Sequence, residues 1–252
     1  MAFDDALVNT LRWTDTLYNT YGVRFERGQQ TFARAVENTR RLVDAAQRAG
    51  VRRIVHVSVA NSSLDSPFPY FRGNAQTEDV VRGSGLSYAI VRPTLVYGSD
   101  DVLANDIAWG LRHVPLFLVP GDGSYQVQPV SDRDTATICV DAGREQANLE
   151  LDAAGPVRWT FDELVRLIAG AVGSRGWITR APMPLALGAA RLAGWALRDV
   201  LVTRDELAAL AAGLPVSTEE PRGPDRFDEW LAENRNRVGR RYTSELARNF
   251  SG

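Results

Sequence analysis

The sequence contains no lysine, and all 29 of its basic residues are arginine. Chemistry that needs an amine side chain is therefore closed to it. The one cysteine, Cys139, excludes an intrachain disulfide framework and a cysteine-built zinc centre. Only two imidazoles, His56 and His113, are left as ligands, so no metal site is expected. That cysteine usage fits the cytoplasm. Charge of one sign is not in excess either: 29 basic residues stand against 31 acidic ones, a formal net charge of -2. There is no overall pull toward nucleic acid or an anionic membrane, which excludes a dedicated nucleic-acid binder. No cationic segment followed by an apolar run opens the chain, so neither a signal peptide nor a spanning helix is expected near its start. What is present is an ordinary globular composition, 252 residues with 44% hydrophobic and 24% charged, enough for one large domain or a domain with a smaller lobe.

Short β-branched runs from Arg53 to Val59 and from Ser87 to Val91 are of the kind found in parallel strands covered on both faces. Each follows a helix. Gln29 to Ala49 places Phe32, Val36, Val43 and Ala46 at helical spacing and stops at Gly50. Tyr70 to Arg82 repeats the pattern before Gly83 and Gly85. Two such units predict right-handed crossovers and a doubly wound α/β sheet. A shorter strand is predicted at Thr16 to Asn19, after a helical turn from Asp4 to Leu11. Later come a helix around Leu103 to Arg112, a hairpin turn at Gly121-Asp122-Gly123 and a capped helix from Ser131 or Asp132. Beyond Gly143 the pattern turns mainly helical, and Thr160 to Glu163 and Thr203 to Glu206 both match a capping box. A loop at Gly213 to Pro224 precedes two short helices carrying Phe227, Trp230, Val238, Tyr242 and Leu246.

The segments VRRIVHVSVANSS, PYFRGNAQTE and GLSYAIVRPTLVYG, taken together, resemble the extended or atypical branch of the short-chain dehydrogenase/reductase superfamily. The similarity is greatest to NmrA-like and complex-I-accessory-subunit-like members. It extends to YNTYGVRF, VPGDGSYQVQPVSDRD and GRRYTSELARNF, so it covers nearly the whole sequence. The resemblance implies a Rossmann sheet binding NAD or NADP, with a C-terminal substrate lobe. It also implies a cofactor wall of Asn19, Tyr21, Ser58, Pro93 and Thr94, with Tyr70 facing the substrate region. The substrate, a small molecule, is not implied.

Two family elements are replaced. Tyr70 holds the position of the acid/base tyrosine, but the lysine that follows one helical turn later is Asn74. An ordinary phenol has a pKa of about 10 and is lowered by a neighbouring cation, which an amide cannot supply. Arg72 points elsewhere and Arg82 is three turns away. The strand-end hydroxyl position is Ala60, with Ser62 or Ser63 as the alternatives in the loop. A third element, the glycine-rich turn that would hold a pyrophosphate, is not found: Gly83-Ser84-Gly85 follows a helix and precedes a strand, the context of a helix cap. Binding of the dinucleotide is thus put in doubt, and the chain is expected to enter the sheet just before its fourth strand.

Simpler roles compete at several positions. Tyr70 also suits the start of an amphipathic helix after Pro69. His56 fits a core imidazole, His113 a cap or surface residue, Cys139 a small buried apolar side chain, and Asp132 and Asp134 helix caps. Pro182 to Val202 fits a lobe helix packed on its neighbours, with peripheral membrane contact as the second reading and a span opposed by Arg191 and Arg198. The tail from Asn234 to Gly252, with five arginines against Glu245, fits a solvated helical face, an anionic partner being the second option.

The expectation is therefore an α/β protein. Residues 1–143 form a partial Rossmann-type doubly wound parallel sheet lacking its first strands, with a variable segment at 99–131; residues 144–252 form a mainly helical lobe. The expected function is that of a truncated, catalytically degenerate NAD(P)-binding relative of the reductases and epimerases. A second reading is a scaffold or regulatory module whose exposed strand edge pairs with another chain or a second copy of itself. A third takes Met1 as an internal methionine of a longer oxidoreductase.

Overall fold

The computed structural model describes residues 5–99 and 101–249, so Met1, Asp4 and the last residues of the tail lie outside the description. The first half runs α1 (Asp5–Leu11), β1 (Thr16–Asn19), α2 (Phe32–Ala49), β2 (Arg53–Val57), α3 (Pro69–Arg82) and β3 (Ser87–Pro93). Next come β4 (Leu95–Tyr97), α4 (Val102–His113), β5 (Leu116–Pro120), β6 (Gln126–Val127), β7 (Pro129–Ser131) and α5 (Asp132–Arg144). The chain continues through β8 (Leu149–Ala153), β9 (Trp159–Thr160), α6 (Phe161–Val172) and β10 (Trp177–Ala181). It closes with α7 (Met183–Leu197), α8 (Arg204–Ala211), α9 (Phe227–Asn234) and α10 (Glu245–Asn249).

These elements form two compact units, each discontinuous in sequence. The first comprises 1–93, 134–153 and 217–222; the second comprises 94–133, 154–216 and 223–252. The first is built on a parallel four-stranded sheet of order β1-β2-β3-β8. Its central strands β2 and β3 are largely apolar on both faces because helices cover both. Val55, Ala89 and Val91 pack on Cys139 and Ala142 of α5, while Ile54 and Ile90 pack on Val43 of α2 and Val81 of α3. Local chemistry sets the helix ends. The Thr31 hydroxyl accepts from the Arg34 amide at the start of α2, and Gly50 closes it at φ 80°, a conformation that favours glycine. In α3, Gly73 lets the helix approach α2 closely: a Cβ there would stand 3.0 Å from that of Phe32.

The second unit centres on Ile107 and Leu111 of α4, Val119, Val127, Leu164 and Ile168 of α6, and Leu231 of α9. Both predicted capping boxes form, at Thr160 with Glu163 and at Thr203 with Glu206. Thr160→Ala is expected to lower the stability of this unit by about 1 kcal/mol in a urea titration, since the amide of Glu163 loses its acceptor.

Four local expectations are corrected. Gly121-Asp122-Gly123 is a turn held by Asp122 Oδ1 on the Ser124 amide, but not a hairpin. The strand before it pairs in parallel with β10, and the one after it pairs antiparallel with β9. The segment beyond Gly143 is not helical at first, because Leu149–Ala153 is a sheet strand beside β3. Its acidic residues hid it, and their purpose lies across the sheet. Val238 and Tyr242 lie between helices rather than on them. The helix within Pro182 to Val202 buries only Ala186, Leu187 and Gly194. Among the described residues no helix is long and apolar enough to cross a membrane.

Candidate functional site

Because β1, β2 and β3 run parallel, their carboxyl ends share one edge of the sheet, where open α/β sheets receive their ligands. Asn19 ends β1, Ser58 follows β2 and Pro93 ends β3. The structure thus brings three of the expected wall residues to one edge. Pairing continues past β2, with the Ser58 amide on the Val91 carbonyl at 2.8 Å and the Ala60 amide on that of Pro93 at 2.9 Å.

Asn19 is buried, and both ends of its amide are engaged. Its Oδ1 accepts from the Tyr21 backbone N–H at 3.1 Å, which turns its Nδ2 toward His56 Nδ1 at 3.0 Å. His56 Nδ1 is therefore the acceptor, and the neutral ring carries its proton on Nε2. The imidazole is 1% exposed, and burial pushes its pKa down to about 4, against the pull of the nearby Glu78 charge. His56 is a core residue, as its place in the strand implies. The Tyr21 hydroxyl oxygen accepts from Asn38 Nδ2 at 3.0 Å and keeps its own proton to donate. Cys139 is buried in α5, and burial raises its thiol to about 11, the state of an inert packing residue.

On α3, Tyr70, Asn74 and Glu78 follow one another at one-turn spacing along one face. The half-buried Tyr70 ring meets Phe71 edge-on at 5.3 Å and Phe32 at 6.4 Å. Asn74 Nδ2 donates to the Tyr70 carbonyl oxygen at 2.9 Å, so the side chain at the lysine position is spent on its own helix. Arg72 donates to the Ser66 carbonyl at 2.7 Å. Thr94 belongs to the second unit, where its hydroxyl donates to the Gln128 carbonyl.

The strongest electrostatic feature of the first unit was not anticipated. Glu78, 1% exposed, holds Arg92 through Nε at 2.9 Å and Nη2 at 2.7 Å, and Arg82 at 2.8 Å. Both guanidinium groups also reach Glu150 on β8. The Ser58 hydroxyl donates to Glu78 Oε1 at 2.6 Å, and Ser62 donates to the same oxygen at 2.5 Å. Burial pushes the Glu78 carboxyl up, but hydrogen bonds from Arg92, Ser58 and Ser62 outweigh it and leave it below the usual range. Arg82 and then Arg92 hold Glu150 down to about 2. Both serine hydroxyls at the strand end are thus turned inward onto a carboxylate. Arg82 and Arg92 are likewise committed to carboxylates. One signal could have exposed the cluster: a lone arginine inside the apolar strand SYAIVRP requires a buried counter-charge.

A parallel sheet with helices on both faces and polar residues gathered at its carboxyl edge is the architecture of the Rossmann-type fold. Residues 4–107 match the model of an NAD(P)H-binding family. The mouse mitochondrial NADH dehydrogenase (ubiquinone) 1 alpha subcomplex subunit 9 is 30% identical over 173 residues, 66% of this chain and 45% of that protein. Its Arabidopsis thaliana counterpart is 22% identical over 206 residues, 80% of this chain and 50% of that protein. The chain spans about half the length of the curated relatives it matches. Among solved structures, the NADPH complex of an Escherichia coli NADPH-dependent quinone oxidoreductase superposes with a TM-score of 0.72 at 19% identity, covering 93% of this chain and 80% of that one. A Citrobacter sp. triphenylmethane reductase with NADP(H) gives 0.70 at 18%, covering 91% and 79%. These two share the fold of this chain.

Proposed function

We propose that this protein is a relative of the short-chain dehydrogenases/reductases and epimerases that presents the nicotinamide side of a dinucleotide site without turning the cofactor over. The observation that carries the reading is the hydrogen bond from Asn74 to the Tyr70 carbonyl. Where the family places an ammonium beside the phenol, this chain has an amide occupied by backbone, and its nearest arginines are bound to Ser66, Glu78 and Glu150. No lysine elsewhere in the sequence can take the role.

The fit to NAD or NADP is partial. Tyr21 retains a donor proton at the sheet edge, whereas Asn19 and Ser58 have turned their polar atoms inward. When bound, the nicotinamide group supplies or accepts hydride. The residues here form its wall and, on this reading, move no proton. The likeness to proteins named as NADH dehydrogenase subunits supports a nicotinamide dinucleotide as the class of ligand. The single buried thiol accords with a reducing compartment such as the cytoplasm.

Calorimetric titration with NADH and NADPH, followed by NADPH oxidation with quinone and aldehyde acceptors, tests the proposal. Saturation only near about 1 mM, a binding free energy of about 4 kcal/mol, and no oxidation are expected. Micromolar affinity, or oxidation lost in Tyr70→Phe, overturns it. A second reading rests on β1, which pairs only with β2 among the described residues: its other edge is open to strand addition by a partner or a second copy. Sedimentation across a concentration series separates the two, since a monomer at every concentration removes self-pairing.

A further inference from the structure

Between Glu163 and Asp199 the sequence has no acidic residue but five arginines, Arg166, Arg175, Arg180, Arg191 and Arg198, in a chain whose acidic residues outnumber its basic ones. Arg166 and Arg180 pair back to Asp162, and the other three side chains are exposed. Within this stretch lies α7, MPLALGAARLAGWAL. Its inward arc carries Ala186, Leu187 and Gly194. At 100° per residue, the outward arc carries Leu185, Gly188, Ala189, Leu192, Trp195 and Ala196, with Arg191 at its border. Leu185 is 64% exposed, Leu192 68% and Trp195 80%. A helix on the surface of a water-facing domain turns polar residues outward, and this one turns apolar residues both ways.

We propose that α7 seats the protein on an anionic lipid surface, with its outward arc in the interface and Arg191 and Arg198 against the headgroups. Fifteen residues give a helix of about 22 Å, short of the ~30 Å hydrocarbon core, so it lies in the plane of the surface rather than spanning it. Tryptophan beside arginine is the pairing that interfaces select. The exposed Arg175, Arg191 and Arg198, in a segment without acidic residues, match the surface to negative charge. The same charges oppose a second copy as occupant, because self-docking of this face brings like-charged arginines together.

The experiment uses the full chain and vesicles of phosphatidylcholine with and without phosphatidylglycerol. Co-sedimentation with the anionic vesicles alone, weakening as salt rises, and a blue shift of tryptophan emission that Trp195→Phe diminishes are expected. Leu192→Glu removes an inserted side chain from an exposed position and should cut partition at least about tenfold with unchanged melting. Arg191→Gln should cut it by about fivefold. The proposal is overturned by no binding, by equal binding to both vesicles, by binding indifferent to Leu192→Glu, or by dimerisation that Leu192→Glu abolishes.

Discussion

Glu78→Ala is expected to destabilise the first unit by about 3–5 kcal/mol, the largest effect of any single substitution here. The carboxylate is 2% exposed at its side chain and accepts from two arginines and two serines. Its removal leaves Arg92, 17% exposed, with Glu150 as its remaining carboxylate, and strips both hydroxyls of their acceptor. The cost is that of a largely buried guanidinium stripped of its bidentate partner and of two hydroxyls left without their acceptor, not the net worth of one ion pair. Asp79→Ala is the control. Asp79 binds the same Arg82 guanidinium at 2.7 Å but is half exposed, so its loss should cost no more than about 1 kcal/mol. Urea unfolding followed by far-ultraviolet circular dichroism discriminates between these outcomes. Tryptophan fluorescence is a poorer probe, because Trp109, Trp159, Trp177, Trp195 and Trp230 lie in the second unit and Trp13 is fully exposed. If Glu78→Ala proves as mild as Asp79→Ala, the cluster is not what organises the sheet edge.

That cluster also marks the limit of what the sequence discloses. The two helix-strand repeats and both capping boxes are legible because their signals are local: periodicity, a hydroxyl three residues before a carboxylate, a glycine at the stop. Strand LELDA is not legible, because Glu150 and Asp152 break its apolar run. Each has a partner far off in the chain, Arg82 and Arg92 for the first and Ser217 for the second. The candidate site divides in the same way. Asn19, Tyr21, Ser58 and Tyr70 could be placed from motif positions. That Ser58 would face Glu78, and Asn19 His56, depends on which side of the sheet each residue points to and which helix covers it. For α7 peripheral membrane contact was legible only as a second reading, because an apolar helix is expected to be covered and only the packing shows which arc is left open.

Acidification from pH 6.5 to 4 should remove roughly 3 kcal/mol of stability from the first unit. His56 has a folded pKa of about 4 against an ordinary value of 6.5, and burial is the main cause. The unfolded chain therefore takes up a proton that the folded chain refuses. A depressed folded value contributes stability that is fully present above 6.5 and lost as the pH falls through 4. Urea midpoints measured across that range should decline in the wild type, and His56→Gln should flatten the decline while keeping an acceptor for Asn19. A flat wild-type profile, or an undiminished slope in the variant, contradicts the assignment. Glu150 acts later, held toward 2 by Arg82 and Arg92, and Glu78 too is held below its ordinary value. The order matters at the sheet edge. A protonated imidazole presents a donor at Nδ1, where Asn19 also donates, and the amide can answer only by turning its oxygen inward and giving up the Tyr21 backbone N–H. Mild acid should thus loosen the Asn19 and Tyr21 wall while the ion cluster beneath it still holds, and hydrogen exchange at the Tyr21 amide should rise ahead of global unfolding.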